Sequence, residues 1–469
     1  MDQEIFRQAR LSRDARFDGQ FFIAVKTTGI YCRPICPVQL PREENVRYYT
    51  AAIAAAEDGY RPCLRCRPDA APGSNPWRGV NTTLDRALNL INAGELSDTS
   101  MPELASRLGI TDRYLRQLFQ QHLGVAPKRY AQYQQCLMAK QLLHTTTLPI
   151  TDIALASGFQ SVRRFNDCFR SFMKLSPSEM RREKNSSEGS AIALHMSYRP
   201  PFNWAHLQGF LARRAIAQLE VVEANSYARS FEWAGAKGVF RLSAEPKKHR
   251  FKLELALDDL SKLRSVCSNI RRLFDLDADS HTIDAHLTQH FSALMPIAAG
   301  IRLPGTWSLF EAGVRAILGQ QVSVVAAKKL VEQLVAELGE PLNSAALNQL
   351  EPLKLFPTPT ALANSDLAFL KMPNARRETL RAFAQAFATD ASTMQSPDHW
   401  QSIKGIGPWT IDYAKMRGLS DPDIYLGGDL GVKNRIKALD REISPDSAAP
   451  WRSYLTQHLW HQPPDTEQE

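Results

Sequence analysis

The sequence has no run of about 20 uninterrupted apolar residues, which excludes a helix that spans a membrane. It also lacks the basic-then-apolar opening of a secretory signal, since Met1-Asp2-Gln3-Glu4 begins acidic. Both absences point to the cytoplasm, where thiols stay reduced, and no membrane partner is expected. Cysteine is scarce, with seven in 469 residues, and four of them lie within the first 66. In a reducing compartment that clustering suggests metal or reactive chemistry before disulfides. Low hydrophobicity is absent too: 44% hydrophobic and 23% charged residues are the mark of a soluble globular protein, not a disordered one. The chain is too long for one ordinary domain, so two to four are expected. A formal net charge of +8 suits a polyanionic partner, although many proteins without one are also basic.

Two stretches break the chain. Pro68-Asp69-Ala70-Ala71-Pro72-Gly73-Ser74-Asn75-Pro76 and Lys184-Asn185-Ser186-Ser187-Glu188-Gly189-Ser190 read as linkers. Between them, Leu84 to Arg182 carries helical periodicity. Beyond them, Ala191–Met196, Gly238–Leu242 and Phe251–Leu255 alternate like strands of an antiparallel sheet, and helical spacing takes over from about Leu260. The expected domains are 1–75, 82–183 and 195–469.

Cys32 and Cys36 are separated by three residues, Cys63 and Cys66 by two, with 26 residues between the pairs. Zinc takes four soft ligands in a tetrahedron, and two closely spaced pairs supply them. Four unrelated core cysteines or a redox pair are the alternatives, but Arg33, Arg61, Arg65 and Arg67 flank the sulfurs, unlike buried structural thiols. A purely structural zinc site is the plainer reading of the spacing.

The surrounding residues add to it. Val25-Lys26-Thr27-Thr28-Gly29-Ile30-Tyr31-Cys32-Arg33-Pro34-Ile35-Cys36-Pro37, Glu44-Asn45-Val46-Arg47-Tyr48-Tyr49 and Gly59-Tyr60-Arg61-Pro62-Cys63-Leu64-Arg65-Cys66 resemble the N-terminal module of the Ada family over about residues 10–70. The resemblance implies that Cys32 accepts a methyl group from a methylated DNA phosphate, while one zinc ion is held by Cys32, Cys36, Cys63 and Cys66. Zinc keeps such a sulfur as thiolate, the nucleophilic form. Some family members have a phosphate-contacting arginine three residues after the second cysteine. Gln39 stands there in this chain, leaving Arg33 and Arg42 to supply charge.

Pro102-Glu103-Leu104-Ala105-Ser106-Arg107-Leu108-Gly109-Ile110-Thr111 places a helix, a glycine turn and a new helix start in ten residues. Leu115, Leu118 and Phe119 then mark one buried face. The layout returns 49 residues on, with Ile153, Leu155, Gly158 and Phe159 before a helix carrying Phe165, Cys168, Phe169 and Phe172; Cys168 is expected in the core. This span resembles the AraC-type DNA-binding domain over about 83–183, including Leu175-Ser176-Pro177-Ser178-Glu179-Met180. The resemblance implies two recognition helices joined by a linking helix around Pro127–His144 and entering successive major grooves about 34 Å apart. Arg113, Gln117, Arg163 and Asn166 are the candidates for DNA contact.

Ile403-Lys404-Gly405-Ile406-Gly407-Pro408-Trp409-Thr410 has the form of a helix-hairpin-helix, in which Gly405 and Gly407 let the turn approach a phosphate. Twenty-two residues after Gly407 comes Asp429, between Gly427-Gly428 and Leu430-Gly431-Val432-Lys433; by position it is a helix N-cap. Gly209-Phe210-Leu211-Ala212-Arg213-Arg214-Ala215, Tyr227-Ala228-Arg229-Ser230, Leu303-Pro304-Gly305, Arg315–Val324 and Pro450-Trp451-Arg452-Ser453-Tyr454 resemble the AlkA type of 3-methyladenine glycosylase over about 195–465. The resemblance implies Asp429 as the catalytic carboxylate, Phe210, Trp409, Tyr413 and Trp460 as a base pocket, and Gln321 as the filler of the hole left by a flipped nucleotide. Each aromatic could instead be plain core. Bifunctional relatives carry a lysine where this chain has Trp409, so hydrolysis without strand cleavage is expected. Gly428 and Leu430 depart from the Asp and Tyr that can flank the aspartate.

The fold expected is multidomain α+β: a small zinc-binding module, an all-α double helix-turn-helix domain, and a helix-hairpin-helix DNA glycosylase domain with an N-terminal antiparallel sheet. The function expected is an Ada–AlkA type alkylation-damage response, acting on alkylated and promoter double-stranded DNA as a nucleoid-associated monomer, with RNA polymerase as a further partner. The alternative is a zinc-dependent transcription regulator with a non-catalytic glycosylase-like domain. No Pro-Cys-His-Arg motif occurs, so O6-methylguanine transfer is not expected.

Overall fold

Short helices need their ends satisfied, and this chain caps them repeatedly. In the computed structural model, which describes residues 3–63, 65, 66, 68, 83–181, 192–342, 353–439 and 441–461, Ser100 and Ser176 each form a reciprocal capping box with the glutamate three residues on. Two compact units result: Met1–Pro200 with Ala244–Arg271 and Leu276–Asp279, and Pro201–Ser243 with Arg272–Asp275 and Ser280–Glu469.

The first unit begins with α1 (Gln3–Ser12), β1 (Phe22–Val25), β2 (Ile30–Cys32), β3 (Val46–Tyr49), α2 (Ala52–Glu57) and β4 (Arg61–Pro62). The strands form one sheet in the order β3-β1-β2-β4. Phe6, Ala9, Phe21 and Ile23 make a small core for it. The parallel pairing of Tyr31 with Pro62 sets Cys32 and Cys63, the next residue of each segment, side by side.

Helices follow: α3 (Thr83–Ala93), α4 (Glu95–Asp98), α5 (Met101–Arg107), α6 (Asp112–Leu123), α7 (Pro127–Thr145), α8 (Ile150–Ala156), α9 (Val162–Met173) and α10 (Pro177–Met180). Thr111 caps α6 and Ser161 caps α9 through side-chain oxygens. Leu115 and Phe119 on α6, and Phe165, Phe169, Phe172 and Met173 on α9, are buried. Cys168 is half-buried, its sulfur 3.6 Å from that of Cys136 in the core. The linking helix α7 is buried along most of its length.

The rest of the chain runs β5 (Ile192–Ser197), α11 (Trp204–Arg214), β6 (Glu220–Val222), β7 (Ser226–Trp233), β8 (Ala236–Glu245), β9 (Arg250–Leu257), α12 (Leu263–Leu273), α13 (Ser280–Phe291), α14 (Leu309–Gly319), α15 (Val324–Leu338), β10 (Pro341–Leu342), β11 (Leu353–Lys354), α16 (Pro359–Asn364), α17 (Asn374–Thr389), α18 (Ala391–Met394), α19 (Pro408–Gly418), α20 (Leu430–Leu439) and α21 (Arg452–Trp460). Within the first unit β5 pairs antiparallel with β9, and Gln141 of α7 donates to the His195 carbonyl of β5. Within the second unit β6, β7 and β8 form an antiparallel meander. Ala234 and Gly235, both at positive φ, make the two-residue turn between β7 and β8. The second unit's core stacks Phe310 on Phe383 and sets Trp400 edge-on to Phe383.

The strands expected at Gly238–Leu242 and Phe251–Leu255 lie inside β8 and β9, and that at Ala191–Met196 inside β5 from Ile192 onward. Ala191, the Lys184–Ser190 stretch and all of the first linker stretch except Pro68 fall outside the described residues. The strands of the N-terminal sheet had no expectation behind them, because none is longer than four residues. Among the described residues no helix is long and apolar enough to cross a membrane.

Candidate metal centre, nucleic-acid interface and pocket

Cys32 ends β2, Cys63 follows β4, and Cys36 and Cys66 sit on the tight turns after them. The four sulfurs converge, buried, within 4.8 Å of one another. Backbone N–H groups of Arg33 and Arg65 donate to the sulfurs of Cys66 and Cys63 at 3.3 and 3.4 Å, as suits thiolates. So close a set cannot all ionise without a cation. Bonds from Cys36 and Cys63 raise the Cys32 thiol, and a bond from Cys32 raises Cys66. Bonds from Cys32 hold Cys36 and Cys63 below the usual thiol value. A divalent ion removes that conflict, and four soft donors at this spacing fit zinc.

Arg33 does not serve as expected. It is buried, its Nε donates to Asp18 Oδ1 at 2.8 Å, its Nη2 also pairs with Asp18, and its Nη1 donates to the Cys66 carbonyl at 3.1 Å. Its charge is spent inside the module, bracing the ligand loop, and is not offered to a phosphate. Arg42, Arg65 and Gln39 are exposed.

Arg113 and Gln117 lie on the exposed face of α6, Arg163 is exposed near the start of α9, and Asn166 is half-buried one turn further on. Tyr114, the third residue of α6, is 46% exposed beside Arg113 and was not among the expected contacts.

In the second unit, Gly405 adopts φ +91° at the hairpin turn, where a Cβ would lie 2.3 Å from Thr379 Oγ1. Thr379 Oγ1 donates to the Lys404 carbonyl at 2.9 Å, and Gln320 Nε2 donates to the Gly405 carbonyl at 3.0 Å, so the turn is pinned from both sides. Gly407 is the N-cap of α19 and Pro408 its first residue. Gln321, between α14 and α15, is exposed with φ +53°, a left-handed conformation uncommon for a residue with a side chain. Val324 and Val325 beside it are 43% and 64% exposed.

Asp429 precedes α20, and its Oδ1 accepts from the N–H groups of Gly431 (2.9 Å) and Val432 (3.2 Å). It is thus a cap, and more than a cap. Trp460 Nε1 donates to Oδ1 at 2.9 Å, and Trp409 Nε1 donates to Oδ2 at 3.3 Å. Tyr413 packs on Trp409 at 5.3 Å between ring centroids, and Phe210 stacks on Trp460 at 6.1 Å. The four aromatics named from the sequence therefore meet around this one carboxylate. Phe210 is buried, while Asp429, Trp409, Tyr413 and Trp460 stay half-buried, leaving a face open.

Two cations here were missed. The guanidinium of Arg214 lies 3.8 Å from the Phe210 ring centroid and that of Arg417 4.7 Å, and Arg417 donates to Tyr413 Oη at 2.9 Å. Burial brings Arg214 down to about 10 and lowers Arg417 as well. Arg214 follows Phe210 by one helical turn, which was the available signal.

Such a chain combines a four-thiolate zinc module, a double helix-turn-helix and a helix-hairpin-helix fold with an aspartate hydrogen-bonded by two tryptophans of an aromatic cluster, the class of a DNA-repair regulator. Three family models match it: the metal binding domain of Ada over residues 6–69, a helix-turn-helix domain over 104–183, and the AlkA N-terminal domain over 193–308. A relative from Mycobacterium tuberculosis, named "Probable bifunctional transcriptional activator/DNA repair enzyme AlkA", is 37% identical over 483 residues, covering 98% of this chain and 96% of the relative. DNA-3-methyladenine glycosylase 2 of Escherichia coli is 34% identical over 280 residues, 57% of this chain and 96% of that protein. Escherichia coli Ada, a bifunctional transcriptional activator/DNA repair enzyme, is 33% identical over 154 residues, 32% of this chain and 41% of that one. The chain belongs to the family of bifunctional transcriptional activator/DNA repair enzymes of the AlkA type. Its metal is one zinc ion.

Proposed function

We propose that this chain senses, signals and repairs alkylation damage to DNA, through a zinc module over 1–75, an AraC-type reader over 82–183 and a glycosylase domain over 195–469. The observation that carries the reading is the meeting of Trp409, Tyr413, Phe210 and Trp460 around Asp429 on a chain that also brings four cysteines together.

In the zinc module, the Cys32 sulfur attacks the methyl carbon of a methylphosphotriester. An S–CH3 bond forms, the O–CH3 bond breaks, and the phosphate leaves as an ordinary diester anion. Zinc bound by Cys32, Cys36, Cys63 and Cys66 supplies the ionisation of the thiol. The product thioether does not return its methyl, so the transfer happens once per chain. Arg42 and Arg65, both exposed, are the cations left to meet the phosphate.

In the glycosylase domain, Gly405 and Gly407 hold the duplex backbone and Gln321 occupies the gap in the stack. The flipped base lies among Trp409, Tyr413, Phe210 and Trp460, and cationic alkylated purines such as 3-methyladenine stack well on such electron-rich rings. As the base departs, positive charge develops on the sugar, and the fixed Asp429 carboxylate stabilises it. Water completes the hydrolysis, with no lysine at the Trp409 position to cleave the strand.

Arg113, Gln117, Arg163 and Asn166 read promoter DNA, and the methylated protein acts there as a monomer that recruits RNA polymerase in the nucleoid. Incubating the zinc-loaded protein with methylated duplex DNA tests the reading. Free 3-methyladenine in the supernatant and one added methyl on the Cys32 peptide are expected. A methyl on Cys36, Cys63 or Cys66, or no released base, refutes the corresponding half.

A further inference from the structure

Helix α7 carries an oddity in its interior. Lys140 is fully buried, an unusual place for an ammonium group, since burying a charge is costly unless opposite charge compensates it. Its Nζ lies 3.5 Å from the carbonyl oxygen of Cys63, a cysteine of the metal centre. The same helix face makes two further contacts with the zinc module. Tyr133, seven residues earlier, shares a buried hydroxyl–hydroxyl hydrogen bond with Tyr31, the neighbour of Cys32. Arg129, one turn before that, donates to Glu57 Oε1 at 2.7 Å, lies over the Phe172 ring at 3.9 Å and donates to Ser171 Oγ at 3.3 Å. Phe172 and Ser171 belong to α9. One stripe of α7 thus touches both the metal module and the second recognition helix.

Charge gives the stripe its sense. Four thiolates on one divalent ion leave the centre with about two net negative charges. Arg33, a second buried cation beside the cysteines among the described residues, pairs with Asp18. We propose that Lys140 is the counter-cation of the zinc–thiolate centre, lent by the linking helix of the DNA-reading domain. It positions the Cys63–Cys66 ligand segment and makes α7 respond to the charge on the metal site. The proposal rests on the four-cysteine zinc reading. It adds that the module's metal affinity depends on a residue outside the module, and that a methyl on Cys32, which takes the centre from about −2 to about −1, weakens the hold on α7.

The test uses the full chain loaded with cobalt(II), whose thiolate charge-transfer band reports sulfur donation and whose affinity is read by chelator competition. Lys140→Gln keeps a hydrogen-bond donor but removes the charge, Lys140→Met removes both, and Lys140→Arg keeps the charge. Circular dichroism shows which variants fold. The Gln and Met variants are expected to hold cobalt roughly tenfold more weakly than the parent, since one charge near the centre is worth about that factor. Their charge-transfer band should move to lower energy, because the sulfurs lose a stabilising cation. The Arg variant should recover most of both. If Arg weakens binding as much as Gln does, or if Gln leaves affinity and band unchanged, Lys140 is a packing residue and the proposal fails. A Met variant that does not fold leaves the decision with Gln and Arg. Should all three variants unfold, charge is not what the position needs, and the proposal falls. A parent that binds no cobalt overturns the four-cysteine reading itself, a result distinct from the others.

Discussion

Replacing Asp429 by asparagine alters the charge of the site while leaving most of its hydrogen bonds in place. Oδ1 of the aspartate accepts from Gly431, Val432 and Trp460, and an asparagine carbonyl turned to that side still accepts all three. The amide nitrogen then faces Trp409 Nε1, where Oδ2 had accepted at 3.3 Å, so a long hydrogen bond becomes a donor–donor encounter. That exchange costs about 0.5–1.5 kcal/mol of stability, too little to unfold a unit of this size. Catalysis loses more. A fixed anion beside a developing sugar cation contributes on the order of 3–4 kcal/mol in a partly dry site, which is a hundred- to a thousandfold in rate. Single-turnover release of 3-methyladenine and 7-methylguanine measures it, with duplex binding and circular dichroism as controls. A folded Asn variant that releases base at close to the parent rate would show that Asp429 is only a helix cap, and the chemistry would have to lie elsewhere. Parent and variant both inactive would favour a regulator with a non-catalytic glycosylase-like domain.

Two further outcomes follow from the second unit. Gly405→Ala forces a Cβ to 2.3 Å from Thr379 Oγ1 at φ +91°, so it should cost about 1–3 kcal/mol and weaken binding to undamaged duplex; an Ala variant with parental melting temperature and affinity refutes the pinned hairpin. His206 and His458 are buried without a partner at Nδ1. Burial, helped at His206 by His461, Arg213 and Arg214, and at His458 by His206 and His461, holds them down to about 4 and about 3. The unfolded chain takes up these protons near pH 6.5. The stabilisation is therefore complete above that pH and is lost as pH falls towards 4, at up to about 1.4 kcal/mol per pH unit per ring. Urea midpoints between pH 7 and 4.5 check this, and His206→Phe should flatten the profile where the parent's slopes.

Much of this was legible locally. The two cysteine pairs, the glycine turns at Gly109 and Gly158, and the hairpin Gly405-Ile406-Gly407 are short-range patterns that a local stretch of sequence displays. Asp429 could be read both as a cap and as a site residue, and its hydrogen bonds to Gly431 and Val432 show the first role directly. What was not legible depends on distant partners. Arg33 looked like a free cation until Asp18, fifteen residues earlier, turned it inward. Arg417 reaches Phe210 from another helix, and the burial of Lys140 against Cys63 joins residues 77 apart. No periodicity along one segment reports a contact of that kind.

Damage sensing and DNA reading are expected to be coupled on one chain. Methylation of Cys32 should reduce the net charge of the zinc centre from about −2 to about −1. At roughly 6 Å from a phosphate, with an effective dielectric of ~20–80, losing one negative charge is worth about 0.7–3 kcal/mol, a roughly three- to hundredfold gain in affinity. The direct measurement is the affinity of the zinc-loaded protein for the promoter of its own gene, before and after stoichiometric methylation by methylphosphotriester DNA, at one fixed salt concentration. Tighter binding after methylation, absent in Cys32→Ala, is the expected outcome. Equal affinity before and after would contradict it and leave the zinc module as a repair device alone.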